Sequence, residues 1–168
     1  PAYHRTQGFR ERHQGNALMK EQLKLDNQLC FPLYAASREV IKRYYPYLSE
    51  LGLTYTQYVC MLVLWEEKTI SARDLGAKLY LDSGTLTPVL RSMEAKGLIT
   101  RQRSQSDERV MMVSLTGEGE ALRERALSVP EKVAGCVRLE PSDAVQLYSL
   151  LYKVLGGLSE SKGENSAE

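Results

Sequence analysis

Two groups of residues in this sequence are of types that do chemistry. The first lies in LDNQLCFPLYAASREVIKRYYPY, residues 25–47, where Cys30 is followed by Tyr34 and, further on, by Tyr44, Tyr45 and Tyr47. The chain has ten Tyr against two Phe, so phenolic hydroxyls stand where bare rings would fill a core equally well. Those hydroxyls either find hydrogen bonds in the core or serve as donors near Cys30. The second group lies in ITRQRSQSDERV, which carries Arg101, Arg103 and Arg109, with Asp107 close to the last. Between residues 91 and 109, Arg91, Lys96, Arg101, Arg103 and Arg109 stand against Glu94, Asp107 and Glu108. That is a local positive excess on a chain whose formal net charge is only +1. Global charge therefore decides nothing, and nucleic-acid binding has to be argued from local placement.

The elements that must position these residues follow from periodicity. Residues from about 20 to 47 read as a helix, with Leu29, Leu33, Val40 and Ile41 on an apolar side. Proline is tolerated in a helix's first turn and disruptive deeper in. If the regular helix starts near Phe31, Cys30 sits at its N-terminus; if Asp26 is the cap, Pro32 kinks the helix one turn beyond Cys30. Both versions leave Cys30 near unpaired backbone N–H groups. On these residues alone, Cys30 reads rather as a small core side chain, a common fate of free cysteine, than as a reactive one.

A second helix over 54–68 is almost wholly apolar at its centre and includes Cys60, which reads as inert core. Leu75, Leu79 and Leu81 mark a short helix, and Leu86, Val89, Leu90 and Met93 give the i, i+3, i+4, i+7 spacing of another. Asp82 or Ser83 caps that second helix and Gly97 ends it. Two strand-like runs, 99–103 and 109–115, flank a polar turn. Thr116 caps a long helix interrupted at Pro130, and Glu140, Pro141 and Ser142 open a last helix with Leu147, Leu150, Leu151 and Val154 on one face. Residues 1–18 read as a disordered or expression-derived extension, and 159–168 as a solvated tail.

Two short helices followed at once by a hairpin describe a winged helix-turn-helix. The fold class is thus mainly α with a small β-hairpin wing. Ser83, Thr85, Thr87 and Arg91 point away from the apolar stripe of the second short helix, and small hydroxyl residues suit a helix in a major groove. Gly84 lets the helix N-terminus approach a phosphate. Arg109 at a hairpin tip suits a narrow minor groove, with Asp107 placed to orient its guanidinium, while Arg101 and Arg103 share one strand. On spacing alone, a small domain with a merely solvated hairpin remains open.

At 168 residues and 43% hydrophobic, the chain holds one compact domain, or one domain plus shared dimer helices. It contains no apolar run long enough to span a membrane, and its N-terminal stretch lacks the apolar core of a secretory signal, so a cytoplasmic setting is expected. Three cysteines without metal-ligand spacing argue against a disulfide scaffold and a zinc site; free thiols, no metal and no cofactor are expected.

The run LYLDSGTLTPVLRSMEAKGLITRQRSQSDERVMMVSLTGEG resembles the winged helix-turn-helix core of the MarR family of bacterial transcription regulators, with DERVMMVSLT matching its wing signature. The likeness spans about residues 20–158. It implies a homodimer, joined by N- and C-terminal helices, on a pseudo-palindromic double-stranded operator. It also implies a division into a dimerisation and sensor helix at 19–53, a DNA-binding domain at 54–116 and dimerisation helices at 117–158. Within the family, LDNQLCFPLYAASREVIKRYY, LTYTQY and LYLDSGTLTP are similar to the organic hydroperoxide sensor branch, the OhrR repressors.

That resemblance makes Cys30 the peroxide-reacting residue and Tyr34, Tyr44 and Tyr55 its hydrogen-bonding tyrosines, some from the partner chain. Only a thiolate attacks a peroxide O–O bond, and phenolic donors stabilise a sulfur anion without adding charge. Tyr34 shares Cys30's helical face, whereas Tyr44 lies fourteen residues along, roughly 21 Å, and serves only a partner's cysteine. The resemblance likewise makes Cys136 a candidate resolving cysteine, although other members of the branch pair with a small thiol instead. Two further readings stay open: a regulator released by a phenolic or aromatic ligand, and a thiol peroxidase using Cys30. A neighbouring redox-sensing branch shares the LCF cysteine, which leaves the oxidant class broader.

Overall fold

In the computed structural model, which describes residues 21–136 and 138–164, the first long helix begins where Pro32 allows it. The extension expected over 1–18, and residues 165–168 of the expected tail, lie outside the described residues. Helix α1 runs Cys30–Glu50, so Pro32 falls in its first turn, where its missing N–H costs nothing. The chain before it is not a continuous helix from residue 20 but includes a 3-10 turn at Leu25–Asn27. At its other end α1 continues through Pro46 to Glu50, past the expected stop near 47. Burial of Leu48, 2% exposed, offsets the backbone hydrogen bond that Pro46 removes.

Helix α2, Tyr55–Glu67, buries Tyr58, Cys60, Met61, Leu64 and Trp65 and forms the centre of the core, as its all-round apolar character predicts. A three-residue strand β1, Thr69–Ser71, leads into helix α3, Ala72–Leu79, and then α4, Ser83–Ala95. The tight joint between α3 and α4 puts Tyr80 in the left-handed region (φ 55°) and closes with Leu81 N–H donating to the Gly76 carbonyl at 2.9 Å. A Cβ on Gly76 would lie 2.8 Å from the Leu81 carbonyl oxygen, so the joint requires glycine there. Leu86, Leu90 and Met93 are buried and Val89 half-buried, matching the predicted stripe. Gly97, at φ +74°, ends the helix, with Leu98 N–H returning to the Met93 carbonyl.

Strands β2, Ile99–Arg103, and β3, Met111–Leu115, pair antiparallel with Arg101 opposite Val113. The sheet has three strands, ordered β1-β3-β2, with Ile70 also opposite Val113. The wing's returning strand starts at Met111 rather than 109, because Asp107 to Val110 form a turn closed by Val110 N–H donating to the Asp107 carbonyl. Helix α5, Gly117–Ala126, is capped by Thr116, whose hydroxyl accepts from Gly119 N–H at 3.0 Å. The expected interruption falls at residues 127–128, so that Pro130 stands in the first turn of α6, Val129–Ala134.

Residues through Val133 form one compact unit, and those from Ala134 onward a second. The second holds α7, Pro141–Glu164, which continues past the expected boundary at 158. Its apolar side chains Leu147, Leu150, Leu151 and Val154 are all exposed in a single chain. No helix among the described residues is long and apolar enough to cross a membrane.

Candidate functional site

Cys30 is the first residue of α1 and is exposed. Leu29 before it has helical backbone angles and supplies no side-chain cap, so no side chain competes for the first-turn N–H groups. Tyr34 follows one turn later, 56% exposed. Its hydroxyl accepts a hydrogen bond from the Arg38 guanidinium at 2.9 Å, which leaves the phenolic proton available to donate elsewhere. The same guanidinium lies 5.4 Å from the Tyr34 ring centroid. Arg38 was not singled out from the sequence; its signal was the spacing Cys30, Tyr34, Arg38, three residues on one helical face.

Tyr44 and Tyr55 are brought together at the junction of α1 and α2, ring centroids 5.0 Å apart and edge-on. Tyr58 adds a third ring 5.8 Å from Tyr44. Burial, then the neighbouring Tyr44 hydroxyl, push the Tyr55 phenol up from its ordinary pKa, so it stays protonated as a donor through neutral pH. The single chain thus carries two separate parts, Cys30 with Tyr34 at the start of α1 and Tyr44 with Tyr55 near its end. Cys60 differs in every respect: it is fully buried on α2, and burial pushes its thiol up to about 11. Cys136 is exposed and belongs to the second unit. Among the described residues no three His, Cys, Asp or Glu side chains group as a metal site.

The second surface is the groove between the helix-turn-helix and the wing, whose lining includes Ser83, Thr87, Asp107 and Arg109. Gly84, Thr85 and Arg91 are also exposed on α4. Both threonine hydroxyl protons there are already committed: Thr85 donates to the Asp82 carboxylate at 3.0 Å and Thr87 to the Ser83 carbonyl at 2.7 Å. Those two threonines therefore offer methyl groups and hydroxyl lone pairs in fixed orientations. Arg73, which the sequence pattern did not mark, lines the same groove from α3.

Three wing residues sit differently from the expectation. The Asp107 carboxylate does not hold the Arg109 guanidinium; it accepts from the Arg109 backbone N–H at 2.9 Å, because an aspartate two residues back closes a turn more readily than it reaches a long side chain. Arg101 is clamped by Glu94 of α4, its Nε and Nη2 donating to one carboxylate oxygen at 3.0 and 2.6 Å and its backbone N–H to the other. Arg103 donates to the Glu108 carbonyl across the wing at 2.9 Å. Arg109, by contrast, is exposed at the tip of the wing.

Asp82 caps α4, its carboxylate accepting from Thr85 N–H at 2.8 Å. The Thr85 backbone N–H, and next the Thr85 hydroxyl, hold this carboxyl below the ordinary aspartate range. A carboxyl whose pKa falls on folding stabilises the fold above its unfolded pKa, and that contribution is lost as pH drops through the lowered folded value. Urea midpoints of the wild type should therefore fall more steeply below about pH 4 than those of Asp82→Asn, which keeps an acceptor oxygen but does not titrate. Parallel slopes would remove Asp82 from the acid response.

Residues 42–125 match the family model of the SarA/Rot transcriptional regulators. The chain is 49% identical over 140 residues to the organic hydroperoxide resistance transcriptional regulator of Bacillus subtilis strain 168, covering 83% of this chain and 95% of that one. Among solved structures, reduced AbfR bound to DNA matches with 36% identity and a TM-score of 0.68, covering 83% of this chain and 98% of that one. The disulfide-formed structure of AbfR, a Staphylococcus epidermidis protein, matches at 36% identity and a TM-score of 0.59, covering 84% and 97%.

Proposed function

This chain belongs to the MarR-type winged-helix transcription regulators, in the organic hydroperoxide sensor branch, and from that premise we propose how its residues divide the work of a peroxide-released repressor. Reduced, the homodimer binds double-stranded operator DNA; oxidised at Cys30 by an organic hydroperoxide, it lets go. The observation that carries this reading is the exposure of Cys30 at the first residue of α1 with Tyr34 one turn later, set against the buried Cys60. Residues 19–53 serve as sensor and dimerisation segment, 54–116 as DNA-binding domain and 117–158 as dimerisation helices. The exposed apolar face of α7 supports that last assignment, since a single chain leaves it in water. Operator binding puts the protein's work in the cytoplasm, and its use of peroxide is a single event per cycle, not turnover as an enzyme.

The chemistry is two balanced steps. The Cys30 thiolate attacks the distal oxygen of the hydroperoxide, the O–O bond breaks, and a proton is taken up to give cysteine sulfenic acid and an alcohol. A second thiol then attacks the sulfenic sulfur, and water leaves as the S–S bond forms. Tyr34 from the same chain and Tyr44 with Tyr55 from the partner donate to the sulfur anion; the Arg38 bond to the Tyr34 oxygen supports this role, because it leaves the Tyr34 proton free. Cys136 is the second thiol. Forming that disulfide requires the two Cα atoms within about 7 Å, so α1 and the turn that carries Cys136 must approach one another, and in that movement the two recognition helices lose the spacing of successive major grooves. After peroxide, non-reducing electrophoresis should show a dimer-sized band for wild type and none for Cys136→Ser. A Cys136→Ser band of unchanged intensity would eliminate Cys136, and a small thiol in mixed disulfide would take its place.

On the DNA side, Ser83, Gly84, Thr85, Thr87 and Arg91 present α4 to the major groove, and Arg109 reaches from the wing tip. Arg103 and Asp107 shape the wing, and Arg101 fixes it to α4 through Glu94. With a duplex selected by the reduced protein from a random pool, Arg109→Ala should weaken binding about tenfold and reduce the slope of log affinity against log salt by about 1. Arg101→Lys, which keeps the charge and loses the clamp, should leave that slope unchanged. Equal slope losses in both variants would show Arg101 in direct phosphate contact.

A further inference from the structure

Gln57 is 4% exposed and, among the described residues, is the polar residue buried with the core side chains. It begins as a helix cap: Gln57 N–H donates to the Thr54 hydroxyl at 3.2 Å, and the Gln57 amide oxygen accepts from Thr54 N–H at 3.1 Å. A cap needs no more than that. Here the same side chain reaches across to the recognition helix. Its amide nitrogen donates to the Ser92 hydroxyl at 3.0 Å, and its amide oxygen also accepts from Lys96 Nζ at 2.8 Å. Lys96, the cap residue just after α4, donates in addition to the Gly52 carbonyl at 2.6 Å, in the turn between α1 and α2.

These bonds bridge residues 35 to 44 apart in sequence. They join the C-terminal end of the DNA-reading helix to the turn between α1 and α2 and to the first turn of α2. Tyr44 and Tyr55 occupy that same junction, and Tyr55 is the residue next to the Thr54 cap. A buried amide with every polar atom bonded resists being pulled from its partners, since each bond lost leaves an unsatisfied buried group. A displacement of the junction is therefore carried to α4 rather than absorbed between them.

We propose that Gln57 is a positioning residue for the redox response, transmitting movement of the Tyr44–Tyr55 junction to the recognition helix through Ser92 and Lys96. This rests on the peroxide-released repressor reading above. It makes a distinction that capping alone does not: removing the bridge should weaken the coupling between oxidation and DNA release while leaving reduced binding largely intact.

The test is the ratio of operator dissociation constants, oxidised over reduced, with Cys30 oxidation confirmed by mass in each sample. Gln57→Leu and Ser92→Ala should each lower the wild-type ratio about tenfold, within the range by which single residues modulate coupling. Gln57→Glu retains acceptors for Thr54, Lys96 and the Ser92 hydroxyl proton, and should stay within about twofold of wild type, consistent with rescue of one bonding pattern by another. Ser92 is exposed, so Ser92→Ala carries the test if Gln57→Leu does not fold. Unchanged ratios in the folded variants overturn the proposal, as does a Gln57→Glu ratio that falls as far as that of Ser92→Ala. A wild-type ratio of one, with Cys30 oxidised, overturns instead the repressor reading on which it rests.

Discussion

Cys30→Ser is expected to hold its operator after organic hydroperoxide treatment that strips the wild type from DNA. Serine keeps the size and the helix-end position of Cys30 but has no thiolate, so the O–O bond has no nucleophile to meet and no sulfenic acid forms. Reduced-state affinity should change by no more than about twofold, because Cys30 is exposed at the start of α1 and no core contact depends on it. After peroxide, the wild type should lose affinity by about 10- to 100-fold, the span typical of coupled sites, and the variant should lose none. Cys60→Ser makes the complementary case. Its thiol is fully buried, so the serine hydroxyl lowers stability by about 1–3 kcal/mol while the peroxide response persists. A Cys30→Ser protein that still releases DNA on oxidation would move the sensor elsewhere in the chain.

The largest expected stability effect belongs to Gly119. A Cβ there would stand 2.2 Å from the Leu98 carbonyl oxygen and 2.7 Å from Leu115 Cδ1. Neither can retreat cheaply. The Leu98 carbonyl accepts from Thr116 N–H at 3.2 Å, and Gly119 itself closes the Thr116 cap and accepts from the Trp65 indole N–H at 2.9 Å. Gly119→Ala must therefore displace the start of α5 from the wing and from the core tryptophan together. A loss of about 3 kcal/mol or more is expected from urea denaturation, an overpacking cost combined with a lost buried hydrogen bond. Gly117→Ala is the control: a Cβ at Gly117 meets nothing within 4 Å, and its midpoint should stay close to wild type. Equal midpoints for the two variants would contradict the packing described around Trp65.

Much of this site was legible in the residues. The stripe of Leu86, Leu90 and Met93, the Asp82 and Thr116 caps and the Gly97 stop are local signals, and each depends on neighbours within a turn. Pro32 narrowed the start of α1 to two versions, and the fold selects the one that puts Cys30 at the helix end. What escaped depends on contacts distant in sequence. Strand β1 is three residues long and exists because Ile70 pairs with Val113, a partner no local pattern reveals. The Glu94–Arg101 clamp joins a helix to a strand, so arginines on the wing look alike until the fold separates them. Gln57 is intermediate: the Thr54-x-x-Gln57 capping signature is visible in the sequence, but its bonds to Ser92 and Lys96 are not. Asp107 shows the reverse error, a charge pair inferred from adjacency where the backbone takes the carboxylate.

The central claim is that oxidation of one cysteine releases DNA. The most direct measurement is fluorescence anisotropy of the selected operator duplex with the wild-type dimer, titrated with cumene hydroperoxide from zero to one equivalent per protomer, with the modified cysteine mapped by mass at each point. Release that rises in step with oxidation at Cys30 and is complete near one equivalent is the predicted result. Full operator binding with Cys30 quantitatively oxidised to its disulfide would contradict the account.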